Sequence, residues 1–202
     1  MENREENIGY DAEKQFSHRT IKHELFEWLE IICTSIVAVV IIFTLLFRVI
    51  TISGDSMLNT LRNEDKVIIT NLFYTPKQFD VVVISENALN SYEGEQIHDR
   101  LIKRVIATEG QVVNIDFNKG KVYVDGVELN EPYTKTPTTR PGDVKFPVVV
   151  PEGHVFVLGD NRNESLDSRS TSVGNGGMVD VRYILGKAVL RVYPFDTFGG
   201  LK

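Results

Sequence analysis

Histidine and cysteine are scarce in this chain. There is one cysteine, Cys33, and there are four histidines among 202 residues. Cys33 lies inside an apolar run, so neither an intrachain disulfide nor a cysteine-based zinc site can form. That fact does not fix the compartment. Positive charge is also in deficit: 22 Lys and Arg stand against 28 Asp and Glu, a formal charge of -6. A nucleic-acid surface needs clustered cations to neutralise phosphates, so that class of partner is excluded. Of the histidines, His18 and His23 precede the apolar run, and His98 and His154 follow it. His98 sits in the polar segment Glu93–Arg100. His154 follows Pro151-Glu152-Gly153 and enters a strand-like run. Neither setting supplies the carboxylate that orients the histidine of a Ser-His-Asp triad. No His-x-x-x-His or clustered His/Asp spacing offers a metal site either.

The chain is long enough for one domain of ordinary core size, or for a small domain and an anchor. Hydrophobic residues make up 42% and charged residues 25%, a globular composition. Residues 1–27 are polar and charged and read as a solvated tail, becoming helical towards Ile21–Leu29. Ile31 to Phe47 is a stretch of 17 residues without a charge. With Arg48 snorkelling, the apolar length extends to Ile52. About 20 residues at ~1.5 Å each cross a hydrocarbon core, so residues 28–50 read as a transmembrane anchor. A buried core helix would carry a polar stripe, and a cleaved signal peptide would have a shorter apolar region and a small-x-small site after it. Thr51-Ile52-Ser53 is a poor version of such a site. The positive-inside count is a tie, with Lys14, Arg19 and Lys22 before the span and Arg48, Arg62 and Lys66 after it. His18 and His23 lean weakly towards an inside N-terminus.

Beyond the anchor the pattern turns to strands. Lys66–Asn71, Phe79–Ser85, Leu101–Thr108, Gln111–Phe117, Lys121–Val124, Val148–Val150, His154–Leu158 and Tyr183–Val192 are short runs rich in Val, Ile, Tyr and Phe. Asn118-Lys119-Gly120 and Asp125-Gly126 read as hairpin turns. The nearly continuous apolar run Phe79–Ile84 suits a strand buried on both faces. The expected fold is mainly β: a largely antiparallel β catalytic domain over residues 51–202, preceded by one N-terminal transmembrane helix. Asn130–Asp143, with three prolines and four threonines, reads as a surface excursion.

Three stretches carry chemistry. Ser53-Gly54-Asp55-Ser56-Met57-Leu58-Asn59-Thr60-Leu61 places hydroxyl residues just past the anchor. With histidine bases excluded, a serine there needs another activator, and a neutral lysine can serve. Lysine titrates near 10.4, so such a base must be desolvated. Lys103 lies in the apolar run Leu101-Ile102-Lys103-Arg104-Val105-Ile106-Ala107, where period 2 sets it on one face with Leu101 and Val105. The pattern alone leaves open a lysine on an edge strand with its charge in water. The third stretch, Gly159-Asp160-Asn161-Arg162-Asn163-Glu164-Ser165-Leu166-Asp167-Ser168-Arg169, is dense in side-chain donors and acceptors. Such a loop can cap and rigidify a neighbouring site, or be merely a polar turn.

Together these stretches resemble the bacterial type I signal peptidases, a family of Ser-Lys membrane proteases. The resemblance covers the anchor and nearly all of residues 48–193. The nucleophile box reads Ser56-Met57-Leu58-Asn59-Thr60-Leu61, and the lysine box Lys103-Arg104-Val105-Ile106-Ala107. The Gly-Asp-Asn-Arg-x-x-Ser-x-Asp-Ser-Arg signature is complete at Gly159–Arg169, and Ile184–Ala188 and Arg191–Phe195 are similar to the closing strands.

The resemblance implies a membrane-bound endopeptidase that removes signal peptides after small residues of the Ala-x-Ala type, without metal or cofactor. Ser56 would be the nucleophile and Lys103 the general base. Ser165 would hydrogen-bond the lysine amine, Asp167 would pair with Arg169, and Asp160 with Arg104. The Ser56 N–H would be one oxyanion donor. Gly54, Asp55 and Met57 would flank it on the substrate side; some relatives carry a donor serine where Gly54 stands. The implied partners are preproteins and the lipid bilayer, with the secretion translocon a further candidate. The implied topology has the N-terminus inside and the catalytic domain outside. The sequence departs from the family pattern at Asn59, usually Pro, and at Glu109-Gly110-Gln111, usually Pro-Gly-Asp. Neither departure removes a reacting group. Three rival readings fit the residues less well. An inactive relative would lack the serine or the lysine, and a Ser-Lys self-cleaving repressor would carry a DNA-binding module. A β-rich binding module on an anchor would leave the spacing of three boxes to chance.

Overall fold

The computed structural model describes residues 2–89 and 100–201. His98 therefore lies outside the described residues. The chain divides into two units, Met1–Leu45 and Leu46–Lys202.

The first unit is a helix, α1, spanning Glu2–Leu46. Helix begins at Glu2 and not near Ile21 as the polar composition suggested. The tail is rich in Glu, a good helix former, and it is continuous with the apolar stretch. Within α1, residues His23–Thr44 are long and apolar enough to cross a membrane. Thr34, Ser35 and Thr44 turn their hydroxyls back onto carbonyls three or four residues earlier, so they present no free donor.

The apolar length does not continue as helix to Ile52. Phe47–Thr51 is a strand, β1. Val49, Ile50 and Thr51 are β-branched and find a partner in β2, Lys66–Thr70, with Phe47 opposite Thr70 and Thr51 opposite Lys66.

The remaining strands are β3 (Val81–Ile84), β4 (Leu101–Thr108), β5 (Val112–Asp116), β6 (Lys121–Val124), β7 (Val127–Glu128), β8 (Val148–Val149), β9 (His154–Leu158), β10 (Val179–Asp180), β11 (Ile184–Tyr193) and β12 (Gly199–Gly200). They form two sheets whose pairings are all antiparallel. The larger runs β1-β2-β11-β3-β4-β9-β10, with β12 on β11. The smaller runs β7-β6-β5-β8. Asp125 and Gly126, both at positive φ, make the tight turn between β6 and β7.

β4 is central. It pairs with β3 through residues 101–104 and with β9 from Arg104 onward, and its six inner residues are buried. Both faces of β4 are therefore covered, which a strand at the edge would not allow. On one side, Ile106, Phe156 and Leu158 pack with Val113, Val122 and Val124 of the small sheet. On another, Met57 and Leu61 pack with Ile52, Val67, Val81 and Ile102.

Phe156 has no exposed surface and meets the ring of Phe146 edge-on, with centroids 5.9 Å apart. Truncation leaves a cavity that the two sheets cannot both close. Phe156→Ala should therefore destabilise the chain by about 3–5 kcal/mol, read from chemical denaturation in detergent.

Candidate active site

Ser56 belongs to a tight turn after β1. Met57 O accepts from Leu61 N at 2.8 Å, and Met57 and Leu61 are both fully buried. The apolar side of the turn is thus sunk in the core while Ser56 stays on its rim. The turn is closed at its base by Ile52 N to Asp65 O at 2.8 Å and Glu64 N to Ile52 O at 2.9 Å. Gly54 takes φ +82°, a left-handed conformation that costs glycine little.

Lys103 projects from β4 towards this turn. Its Nζ lies 2.8 Å from Ser56 Oγ and 2.8 Å from Ile102 O. Only 2% of the residue is exposed. Burial is the main influence on the amine and pushes its pKa down from 10.5 to about 8; nearby Asp167 and Asp160 oppose that, and Arg169 adds to it. The cost of charging it here is roughly 3–4 kcal/mol relative to water. An amine so placed is partly neutral near physiological pH and can take a proton from a hydroxyl at contact distance.

Next to Lys103, Arg104 points the other way along the strand and grips Asp160. The Nε–Oδ1 distance is 2.9 Å and the Nη2–Oδ2 distance 2.7 Å, with both side chains excluded from water. This bidentate pair is completed by Phe79 O at 2.8 Å and by the ring of Tyr133, 4.0 Å from the guanidinium carbon. Asp160 also accepts from the Thr60 hydroxyl, on the Ser56 turn. Asn161 N donates to Ser56 O at 2.9 Å, and Asn161 Nδ2 to Asp55 O at 3.1 Å. The loop after β9 thus holds the Ser56 turn by its main chain. Further along, Arg169 and Asp167 pair at 2.8 Å, and Asp167 Oδ2 accepts from Gly159 N. Arg162 donates to Glu131 at 3.0 Å and to Thr138 at 2.6 Å.

The structure brings together Ser56, Lys103, Arg104, Asp160, Asp167 and Arg169. Three expected details differ. Ser165 does not bond the lysine amine: Lys103 Nζ is engaged by Ser56 and Ile102, and Ser165 Oγ is buried with no partner among the described residues. Gly54 cannot offer a free oxyanion donor, because its N–H is taken by Asn63 Oδ1 at 2.9 Å. Met57 does not line a substrate surface; its side chain is wholly in the core, where Leu61 and Ile52 pack on it. Asp55 is exposed and contributes its carbonyl to the turn. The Ser56 N–H makes no hydrogen bond among the described residues.

Thr60, Asn161 and Tyr133 are additional members of the site. Thr60 and Asn161 stood inside the quoted boxes, but their bonds join segments 100 and more residues apart. Tyr133 comes from the Pro/Thr-rich excursion, which lies over Arg104 as a lid and is more than a surface loop.

Gly159 fixes how closely these parts meet. A Cβ there would lie 2.2 Å from Ser165 Oγ and 2.7 Å from Ser56 O. The main-chain oxygen cannot yield without moving the turn. Gly159→Ala should cost about 1–3 kcal/mol of stability in the same denaturation assay, the range for forced overpacking.

Beside the pair runs a groove of about 460 Å³, lined by Val49, Ile50 and Ile52 on one side and Leu101 and Ile102 on the other. Ser53, Glu86 and Arg100 also border it. Among the described residues, residues 48–51 of β1 pair with β2 and residues 101–103 of β4 with β3, with no second strand beside either; Ile102 O is taken by Lys103 Nζ. Two strand edges therefore border the groove.

Comparison with known proteins gives a consistent result. Residues 25–193 match the family model for signal peptidase, peptidase S26. A probable signal peptidase I-1 of Synechocystis is 37% identical over 154 residues, covering 74% of this chain and 73% of that protein. Signal peptidase I S of Bacillus subtilis is 29% identical over 187 residues, covering 87% of this chain and 92% of that protein. A signal peptidase I crystal structure from Enterococcus faecalis matches with 27% identity and a TM-score of 0.42, covering 56% of this chain and 97% of that one. With the family model spanning most of its length, the chain belongs to the peptidase S26 family of signal peptidases.

Proposed function

We propose that this signal peptidase cuts preproteins with a Ser-Lys dyad, Ser56 and Lys103, at the outer face of a membrane that α1 spans. The observation that carries the reading is the 2.8 Å approach of a buried lysine amine to a serine hydroxyl. Neutral Lys103 takes the Ser56 proton as Oγ attacks the scissile carbonyl. The tetrahedral oxyanion accepts a hydrogen bond from the Ser56 N–H, and on collapse the Lys103 ammonium gives its proton to the leaving nitrogen, which yields an acyl-enzyme and the free amino terminus of the mature protein. Lys103, neutral again, draws a proton from water as its oxygen attacks the ester, and returns that proton to Ser56 Oγ as the signal peptide leaves with a new carboxyl group. Arg104, Asp160, Asp167 and Arg169 hold the loop after β9 against the nucleophile turn.

The substrate binds as an extended strand in the groove between β1 and residues 101–103, through main-chain hydrogen bonds to those strand edges. Val49, Ile50, Leu101 and Ile102 border it with aliphatic side chains; the preference for small side chains at the first and third positions before the cut rests on the likeness to type I signal peptidases. Residues 1–27 lie inside the cell and residues 51–202 form the catalytic domain outside. The secretion translocon is a natural neighbour, since it delivers the preprotein.

The dyad is tested by following preprotein processing in detergent with wild type, Ser56→Ala and Lys103→Ala. Each variant should lose at least about 10³-fold in rate. Near-wild-type cleavage by either would sink the assignment.

The pH dependence gives a second test. The proton must leave Lys103 before it can serve as base, so the rate should rise with pH and reach half its plateau near 8. A flat single-turnover profile between mildly acidic and mildly alkaline pH would count against a lysine base.

A further inference from the structure

Arg191 lies on β11, opposite Val67 of β2. It is remote in sequence from all three boxes, yet its guanidinium reaches the nucleophile turn. Nη1 donates to Thr60 O at 3.1 Å and to Asp65 Oδ2 at 3.2 Å, and Nε donates to Thr197 O at 2.8 Å. Asp65 is buried, and the same Oδ2 accepts from Arg62 N at 3.0 Å.

The turn from Ser56 to Asp65 is therefore held from two sides. On the loop side, Asp160 and Arg104 hold the Thr60 hydroxyl, and Asn161 holds the Ser56 carbonyl. On the β11 side, Arg191 holds the Thr60 carbonyl and the carboxylate at the foot of the turn. Thr60 is gripped at both its polar ends, four residues from Ser56. Releasing one grip lets the turn pivot about the other. An ångström of misplacement at a reacting oxygen is enough to slow attack by one to two orders of magnitude.

We infer that Arg191 is a positioning residue for Ser56, which aims the serine hydroxyl by clamping the Thr60 carbonyl and Asp65 and ties the turn at Phe195–Thr197 into the same clamp. The inference rests on Ser56 being the nucleophile. Arg191 does not touch Lys103, whose electrostatic neighbours are Asp167, Asp160 and Arg169. Loss of the clamp should thus change the rate of attack and leave the base's titration alone.

The test uses the full chain in detergent and a preprotein substrate. Arg191→Met should lower kcat at least tenfold, with KM within about twofold and the midpoint of the pH–rate profile unmoved. Arg191→Lys keeps charge against Asp65 but cannot reach both carbonyls, and should recover part of the loss. Phosphonylation of Ser56 by a fluorophosphonate probe, with loss of fluoride, should slow in the same order. The inference is overturned if Arg191→Met keeps kcat within twofold of wild type, or if its whole defect lies in KM. If Arg191→Met does not fold, Arg191→Lys decides: wild-type kcat and wild-type probe rate overturn the inference, and a fall in both supports it. Ser56→Ala runs as the control. Full activity in Ser56→Ala would overturn the nucleophile assignment and this inference with it. An inert Ser56→Ala beside fully active Arg191 variants would overturn this inference alone.

Discussion

An amine kept from water is the condition on which the site depends. Lysine in solution is an acid-side spectator near neutral pH; roughly 1 in 2,500 is uncharged at pH 7, against about 1 in 10 for a group titrating near 8. That change comes from packing. Lys103 sits on a central strand of the larger sheet whose six inner residues are buried, with β3 alongside it, β9 pairing from Arg104 onward, and apolar clusters around Ile102, Val105 and Ile106. Carboxylates nearby pull the other way. They are themselves held by arginines: Asp160 by Arg104 and Asp167 by Arg169. Pairing those carboxylates limits how far they can restore the proton to Lys103, so the ion pairs serve the base as well as the loop.

Buried ion pairs are costly unless each partner is fully satisfied. Here they are nearly so. Arg104 meets two carboxylate oxygens, a carbonyl, a hydroxyl and an aromatic face. Arg162 meets a carboxylate, a hydroxyl and a carbonyl. Asn161 anchors main chain to main chain. What these groups contribute is mutual orientation of three segments that enter the site from distant parts of the sequence.

Much of this was legible in the residues. Val, Ile and aromatic runs with Gly, Asn and Asp punctuation located β2, β4, β6 and β9 closely: β2 and β6 alternate between buried and more open positions, and β4 and β9 are short apolar runs buried almost throughout. β1 was hidden, because Phe47–Thr51 is as apolar as the helix before it, and only its partner β2 decides that it is extended. Two-residue strands such as β7, β10 and β12 exist through their neighbours alone. In the site, the boxes named residues that the fold brings together: Ser56 with Lys103, Arg104 with Asp160 and Asp167 with Arg169. They could not tell which hydroxyl the amine would choose, that Met57 would be swallowed by the core, or that Gly54 would spend its N–H on Asn63. Those outcomes depend on three-dimensional competition for partners. Arg191 lacks any local signal, since its bonds reach back 126 and 131 residues.

The central placement of β4 carries one more consequence. β3 lies alongside Lys103 and β9 takes over the pairing from Arg104, so the amine leaves water only when stretches far apart in the sequence have met. Under the Ser-Lys reading proposed above, the base would be a property of the assembled sheet and of no strand by itself.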